Sequence, residues 1–342
     1  MTTNRRWMLA RLPQGQLTVD DFELRPVDID LDDAMPADHV TCRVLWLSID
    51  AAGRAWMQGA TYRAAMEADD VMAGYGIAEV VRSGSPSYTA GQLVTGEVGW
   101  QDYAVLPVRG LLPVERRPHL ACYLNVLGIT GLTAYFGLLD VGRPQPGETV
   151  VVSAAAGATG NLVGQIATRH GCRAVGICGS DDKARWLTDD LGFAAAVNYR
   201  DPDFRKQLKA ACPDGVDVYF DNVGGSTLDA VLARMNLHGR VACCGVVSQY
   251  DTGSPAPGPQ GIPGLLVTKR LAMGGFIVTD YAGRFEEALA ALESWLDDGS
   301  LIATEDILEG LDRAPGALVG LLAGDNIGKR LVHVGDPGAD DE

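Results

Sequence analysis

Residues 149–164 read TVVVSAAAGATGNLVG, and no other stretch limits the fold as strongly. Thr149–Ser153 is dominated by β-branched residues without alternation, the pattern of a strand buried on both faces. It leads into Gly157-Ala158-Thr159-Gly160, and Gly160–His170 then reads as a helix with Leu162, Val163, Ile166 and Ala167 on one face. A buried strand delivered into a helix through small residues is a βα unit, and such units assemble into parallel sheets covered by helices. The turn also has a chemical use. Small residues let a phosphate approach the backbone, and a new helix offers it unpaired N–H groups. The G-x-G-x-x-G pattern is broken at its first position, giving A-x-G-x-x-G over Ala155, Gly157 and Gly160. Its position between strand and helix still predicts a dinucleotide seat over Ala154–Gly164.

The alternation continues downstream. Strands at Ala174–Cys178, Ala195–Asn198, Val216–Phe220 and Val241–Gly245 bracket helices at Asp181–Leu191, Asp203–Ala211 and Ser226–Met235. This predicts an α/β fold with a doubly wound parallel sheet. Upstream, Val40–Ile49, Ile77–Val81 and Leu93–Val98 are short β-rich runs punctuated by glycines, which fits a compact β-rich domain. The texture changes near residue 125, and Gly131–Leu139 turns helical. Asp251–Gly264, rich in Gly and Pro, reads as a long loop. Beyond it, Leu271–Val278 is apolar and Phe285–Asp297 is an amphipathic helix. Ala303–Val334 reads as short irregular pieces before a last strand at Arg330–Val334.

A net charge of −16 repels nucleic-acid backbones and anionic membranes. Gly335–Glu342, with Asp336, Asp340, Asp341 and Glu342, reads as a solvated acidic end. No apolar run reaches the roughly 18 residues of a bilayer span, and no secretory apolar stretch follows the first residues. A cytoplasmic protein without nucleic-acid or membrane partners is expected. Seven cysteines form no C-x-x-C pair and five histidines do not cluster with them, so no metal site is expected.

The end of the second strand bears on the choice between NAD and NADP. An acidic residue there would hold a ribose 2′-hydroxyl. Here Gly179-Ser180 follow instead, with Lys183 on the next helix and Arg200 after the third strand. These cations suit a 2′-phosphate, which predicts NADPH. Asp181 and Asp182 also cap and complement the helix start.

Taken together, these residues resemble the medium-chain dehydrogenase/reductase superfamily, and within it the zinc-free alkenal/one reductases, also called prostaglandin or leukotriene B4 12-hydroxydehydrogenase-like proteins. The carrying segments are Asn4–Trp7, Gly128–Leu139, Pro146–Gly164, Gly179–Leu187, Phe220–Gly225, Cys244–Tyr250 and Asn326–Lys329. The resemblance implies a GroES-like β-rich domain over 1–125, a Rossmann domain over 126–302, and a return to the first domain over 303–342. It implies NADPH-dependent reduction of the C=C bond of α,β-unsaturated aldehydes and ketones. By match to the family's motifs, Ala158, Thr159, Gly160 and Asn161 would meet the pyrophosphate, and Lys183 and Tyr199 the adenosine end. Asn222, Cys244, Gly245, Val246, Val247, Ser248, Tyr250, Phe276, Ile277, Val278 and Asn326 would line the cofactor. The chain departs from the family where a D-P-Y-M-R motif is usual: it has Asp50-Ala51-Ala52-Gly53-Arg54, without the aromatic residue. Thr130 also replaces a usual Pro.

For such a reaction the enolate oxygen needs donors in a dry pocket, and the α-carbon needs a proton. The nicotinamide ribose hydroxyl and a Tyr phenol are the candidate donors, and that Tyr or water the proton source; Tyr250, which matches the family position just before the Gly/Pro loop, is the candidate tyrosine, with Tyr62 and Tyr75 in reserve. Two alternatives stay open: a quinone oxidoreductase of the same superfamily, and a cofactor-binding relative without chemistry. A homodimer is expected, paired through the apolar stretch Leu271–Val278.

Overall fold

The computed structural model describes residues 1–33, 35–254 and 258–336. Asp340, Asp341 and Glu342 of the acidic end lie outside the described residues, whereas Asp336 is exposed.

Chain order opens with β1 (Thr2–Leu9), β2 (Phe22–Ile29), β3 (His39–Ser48), the short helix α1 (Ala52–Trp56), β4 (Tyr75–Ser83), β5 (Leu93–Glu97), β6 (Tyr103–Pro107) and β7 (Leu112–Val114). Helix α2 (Ile129–Phe136) leads into β8 (Thr149–Ser153), α3 (Ala158–Arg169), β9 (Arg173–Cys178), α4 (Asp181–Asp189), β10 (Ala195–Asn198) and α5 (Phe204–Ala211). Then come β11 (Val216–Asp221), α6 (Gly225–Leu232), β12 (Met235–Cys243), α7 (Ile262–Lys269), β13 (Ala272–Gly275) and α8 (Phe285–Asp297). The last elements are β14 (Glu305–Glu309), α9 (Ala314–Ala323) and β15 (Lys329–His333).

Strands β8 to β13 form one parallel sheet of order β10-β9-β8-β11-β12-β13. Numbered from β8 this is 3-2-1-4-5-6, the Rossmann order, with its topological switch between β8 and β11. Val150 and Val152 point into one apolar layer with Leu162, Val163 and Ile166 of α3. Val151 points into the opposite layer with Leu208, Leu228 and Val231. Burial on both faces explains why these strands lack polar alternation. Helix α3 lies close on its layer because Gly164 faces Phe193: a Cβ there would stand 1.8 Å from the ring.

A second sheet runs β14-β15-β3-β4-β5-β7, with β6 also paired to β3. Its members come from both ends of the chain. β15 pairs antiparallel with β3, Leu331 opposite Ser48, so the C-terminal segment rejoins the first domain. Their shared core includes Val40, Val44, Leu47, Leu318 and Val332. The architecture is therefore a Rossmann sheet inserted into a GroES-like β-rich unit.

Four segments differ from the sequence expectation. β12 starts at Met235 rather than Val241, and α6 stops at Leu232. The Asn236–Gly239 stretch looks like a turn because it holds an irregularity: His238 has φ +62° and the pairing register with β11 shifts. Helix α7 begins within the expected loop. Helix α9 lies where irregular pieces were expected. Its sequence APGALVGLLA is apolar on every side and contains Pro and Gly, so no 3.6-residue period shows. Pro315 sits in the first turn, where its missing N–H costs nothing, and Gly324 ends the helix at φ +82°. Finally, β1 and β2 form a separate two-stranded sheet that the sequence reading did not mark.

Candidate active site

A cleft of about 470 Å³ opens at the carboxyl ends of β8, β9 and β11 and is closed from the other side by the first domain. Its floor begins at the phosphate-type turn. Ala154 adopts φ +49°, an unfavourable left-handed conformation for a residue with a Cβ, and starts the turn. Gly157 is the N-cap of α3 and supplies no side-chain cap, so the helix start is left for a ligand. Ala158, Thr159 and Gly160 line the cleft there. Gly160 packs against backbone: a Cβ would stand 2.3 Å from the Ala154 carbonyl oxygen. Asn161 does not line the cleft. Its amide nitrogen donates to the Gly157 and Ala158 carbonyls at 2.7 and 2.9 Å, and its oxygen accepts from Gln165 at 3.1 Å. Asn161 thus ties the turn from below.

The switch point is organised by Asp221. One carboxylate oxygen accepts from the Tyr219 hydroxyl at 2.7 Å, the Ser153 hydroxyl at 3.2 Å, and the Val223 and Gly224 amides at 3.0 and 2.9 Å. Asn222 is held to Ser153 through its backbone amide and its side chain, and it lines the cleft. Cys244 and Gly245 donate their amides to the Asp221 carbonyl, and Val247 donates to that of Asn222. Val247 and Ser248 reach the cleft wall. Burial pushes the Cys244 thiol up to about 12, so it stays protonated and unreactive at neutral pH.

At the far end of the cleft, side chains gather around Gly179. Lys183, Tyr199 and Arg200 all line the cleft. Ser180 caps α4 by accepting from the Lys183 amide at 3.3 Å. The Lys183 ammonium donates to the Gly324 carbonyl at 2.5 Å, and Arg200 donates to that of Ala323 at 3.2 Å. Both cations therefore sit on the carbonyl-rich end of α9, which belongs to the first domain. Burial first, and the charge of Arg200 in addition, hold the Lys183 pKa below the usual lysine range. Two cations drawn this close favour a dianion between them.

The first-domain wall holds residues that the sequence reading did not assign: Ile49, Asp50, Leu321 and Leu322. Lys329 is fully buried and donates to Asp50 at 2.5 Å and to the Ile49 carbonyl at 3.3 Å. Burial opposes ionisation of Asp50, but the Lys329 ammonium and the hydrogen bonds from Lys329 and Ser48 outweigh it and keep the carboxyl below its usual range. Asn326 also lines the cleft, its side-chain nitrogen donating to the Gly328 carbonyl at 2.8 Å. The one available signal for this wall was the Asn326–Lys329 motif, whose lysine reaches across to the departing Asp50 segment. Among the described residues, no group of three or more His, Cys, Asp or Glu is placed to hold a metal ion.

With this geometry in hand, the comparisons are specific. The family description "N-terminal domain of oxidoreductase" matches residues 5–114, and "Zinc-binding dehydrogenase" matches 158–294. An Escherichia coli protein named NADPH-dependent curcumin reductase is 39% identical over 97% of this chain and 97% of its own. The 2-alkenal reductase (NADP(+)-dependent) of Nicotiana tabacum is also 39% identical, over 97% of this chain and 98% of its own. The chain belongs to the alkenal/one reductase family of medium-chain dehydrogenases/reductases. The solved structure of CurA from Vibrio vulnificus in complex with NADPH superposes with a TM-score of 0.92 at 37% identity, covering 97% of this chain and 100% of that one.

Several residues assigned from the family's motifs are not among those whose atoms line the cleft. Phe276 packs edge-on against Phe220 at 6.2 Å between ring centres. Ile277 is exposed, and Val278 joins a core cluster with Leu132, Phe136 and Ala288. Cys244, Gly245 and Val246 form the strand-to-turn backbone behind Val247. Tyr75 packs against the first-domain core cluster of Leu45, Ile77 and Leu93 and does not line the cleft. Tyr62 is exposed and stands near enough to Asp50 and Tyr250 to feel their charge. Tyr250 is half-buried and does not itself line the cleft; it follows Val247 and Ser248, which do, and its hydroxyl oxygen accepts from the Val246 amide at 3.4 Å. Burial raises its pKa, so the phenol keeps its proton at neutral pH. In the departing segment, Ala51 lines the cleft while Gly53 turns inward onto Met72 and Leu318.

Proposed function

We propose that this chain is an NADPH-dependent reductase of the C=C bond of α,β-unsaturated aldehydes and ketones. The observation that carries the reading is the cleft itself: an uncapped helix start at Gly157–Gly160 faces two cations, Lys183 and Arg200, at its far end. That pairing suits the pyrophosphate and the 2′-phosphate of one dinucleotide. The family membership and the names of full-length relatives support the reaction. When bound, NADPH supplies a hydride to the β-carbon of the enone.

The protein's own residues do the rest. The turn at Ala154–Gly160 and the cations fix the cofactor's phosphates. Ile49, Leu321 and Leu322 exclude water from the first-domain wall. The Tyr250 phenol, protonated at neutral pH, donates a hydrogen bond to the developing enolate oxygen or the proton to the α-carbon. We assign the domains as 1–125, 126–302 and 303–342. The seven cysteines are all free thiols, which fits a reducing cytoplasm.

The quinone alternative is separated by assaying 3-penten-2-one and 1,4-benzoquinone side by side with NADPH. Turnover of the enone at least about tenfold above the quinone is expected from a site that delivers a proton to carbon, which the enone needs and the quinone, protonated on oxygen, does not. Quinone turnover with an inert enone would instead favour the alternative.

We also propose a homodimer. β13 is the sheet's outer strand, with Ala272, Gly275 and Ile277 exposed along and after it. An unpaired edge of this kind is suited to pairing across a two-fold axis. Light scattering should return about twice the 36.2 kDa chain mass, and a single-chain mass would contradict the pairing.

A further inference from the structure

Tyr250 belongs by sequence to the Rossmann insertion, yet the residues on either side of it are tied to the first domain. On one side, the exposed Gln58 of the α1 end donates to the Gln249 carbonyl at 3.2 Å. On the other, the Asp251 carboxylate accepts from the Leu17 amide at 2.7 Å and from the Arg54 guanidinium at 3.1 Å. Arg54 is only 2% exposed, and it also donates to the Gly15 carbonyl at 2.7 Å. Its remaining nitrogen, Nη1, is buried without a hydrogen-bond partner. A guanidinium buried this deeply needs its carboxylate, because the charge is otherwise left uncompensated. The pair therefore costs more to break than an exposed ion pair, and it spans 197 positions of sequence.

The geometry points to Asp251 and Arg54 as positioning residues that fix Tyr250 behind the cleft-lining Val247 and Ser248. This inference rests on the reading of Tyr250 as the donor to substrate. The first domain carries Asp50 and Ala51 on the cleft wall and, through Arg54 of the same segment, holds the tyrosine's neighbour. Substrate wall and proton donor thus move as one body, although the donor is encoded in the other domain. Neither Arg54 nor Asp251 lines the cleft; they act through Tyr250.

The test is a double-mutant cycle on the whole enzyme with NADPH and 3-penten-2-one, reading kcat, the KM for NADPH and the melting temperature. Tyr250→Phe should lower kcat about tenfold, water taking over part of the proton delivery. Asp251→Asn should lower kcat by about the same factor and leave the KM for NADPH within about twofold. In the Tyr250→Phe background, Asp251→Asn should cost less than about twofold more, because both changes remove one function. A second variant guards against a folding defect. Gln58→Ala removes the other tether at an exposed position, and it should lower kcat about threefold in the parent and not in Tyr250→Phe. Unchanged kcat in Tyr250→Phe overturns the Tyr250 reading and this inference together. A loss of about tenfold in Tyr250→Phe with multiplicative effects of Asp251→Asn and Gln58→Ala overturns this inference alone.

Discussion

Gly160→Ala should weaken NADPH binding by about 100-fold, or about 2.7 kcal/mol, as read by titration calorimetry or quenching of protein fluorescence. A Cβ at this position would stand 2.3 Å from the Ala154 carbonyl oxygen and 2.8 Å from the Ala155 Cα. Both are backbone atoms of the turn itself, so no side chain can swing away to make room. The turn must open, and the first-turn amides of α3 lose their aim at the pyrophosphate. Asn161 cannot compensate, because its side chain is already committed to the Gly157 and Ala158 carbonyls. Gly157→Ala is the matched control. Its backbone is extended, with φ −83°, and its Cβ would meet only the Ala154 oxygen at 3.2 Å. An effect below about tenfold is expected there, since a few tenths of an ångström of adjustment suffices. Equal losses in both variants would mean that the turn is not the phosphate seat.

Lys183→Ala should raise the KM for NADPH by about 10- to 100-fold and change that for NADH by less than about threefold. A hydrogen bond to a charged group contributes about 1.5–3 kcal/mol, and about 1.4 kcal/mol is one decade. Lys183 and Arg200 both donate to the end of α9, to Gly324 and Ala323. A 2′-phosphate has more charge to offer than two carbonyls and draws both cations to itself. Without Lys183, Arg200 alone remains, so preference falls without vanishing. The loss should shrink as salt is added, because screening weakens the parent's advantage. Steady-state kinetics with both nucleotides at two ionic strengths check this. A parallel fall with NADPH and NADH would place Lys183 in the fold rather than in the choice of cofactor.

The central domain was largely readable from sequence because its strands are buried on both faces and written as unbroken apolar runs. Thr149–Ser153 and Ala195–Asn198 coincide with their observed strands, and Phe285–Asp297 with its helix. Where local sequence and tertiary demand part, the reading failed. Helix α9 has no polar face because it is wedged between the first-domain core and the cleft, with Leu318 inside and Leu321 and Leu322 on the wall. β12 hides its first half behind the turn-like Asn236–Gly239. The site divides in the same way. The phosphate-type turn and Lys183 are local features of one βαβ unit that spacing displays, and Tyr199 came from the family's motifs; all three line the cleft. Asp50, Lys329, Arg54 and Asp251 act through pairs some 200–280 residues apart, which no window of sequence displays. Phe276 to Val278 rest on motif matching alone: past the end of β13 at Gly275 their side chains go to the sheet face, solvent and a core cluster.

The Lys329–Asp50 contact shows how the two domains' chemistry is held in register. A fully buried ammonium is tolerable only with its carboxylate and carbonyl partners in place. Those partners end β3 and begin the cleft wall, so the strand pairing of β15 with β3 and the shape of the cleft are one arrangement.

Hydride delivery from NADPH to a C=C bond leaves its mark on one carbon of the product. The direct measurement uses NADPH deuterated at C4 of the nicotinamide with 3-penten-2-one, followed by NMR of the product. Deuterium on the β-carbon of a saturated ketone, with the carbonyl intact, is the predicted result. Deuterium on a carbinol carbon, from reduction of the carbonyl instead, would contradict it.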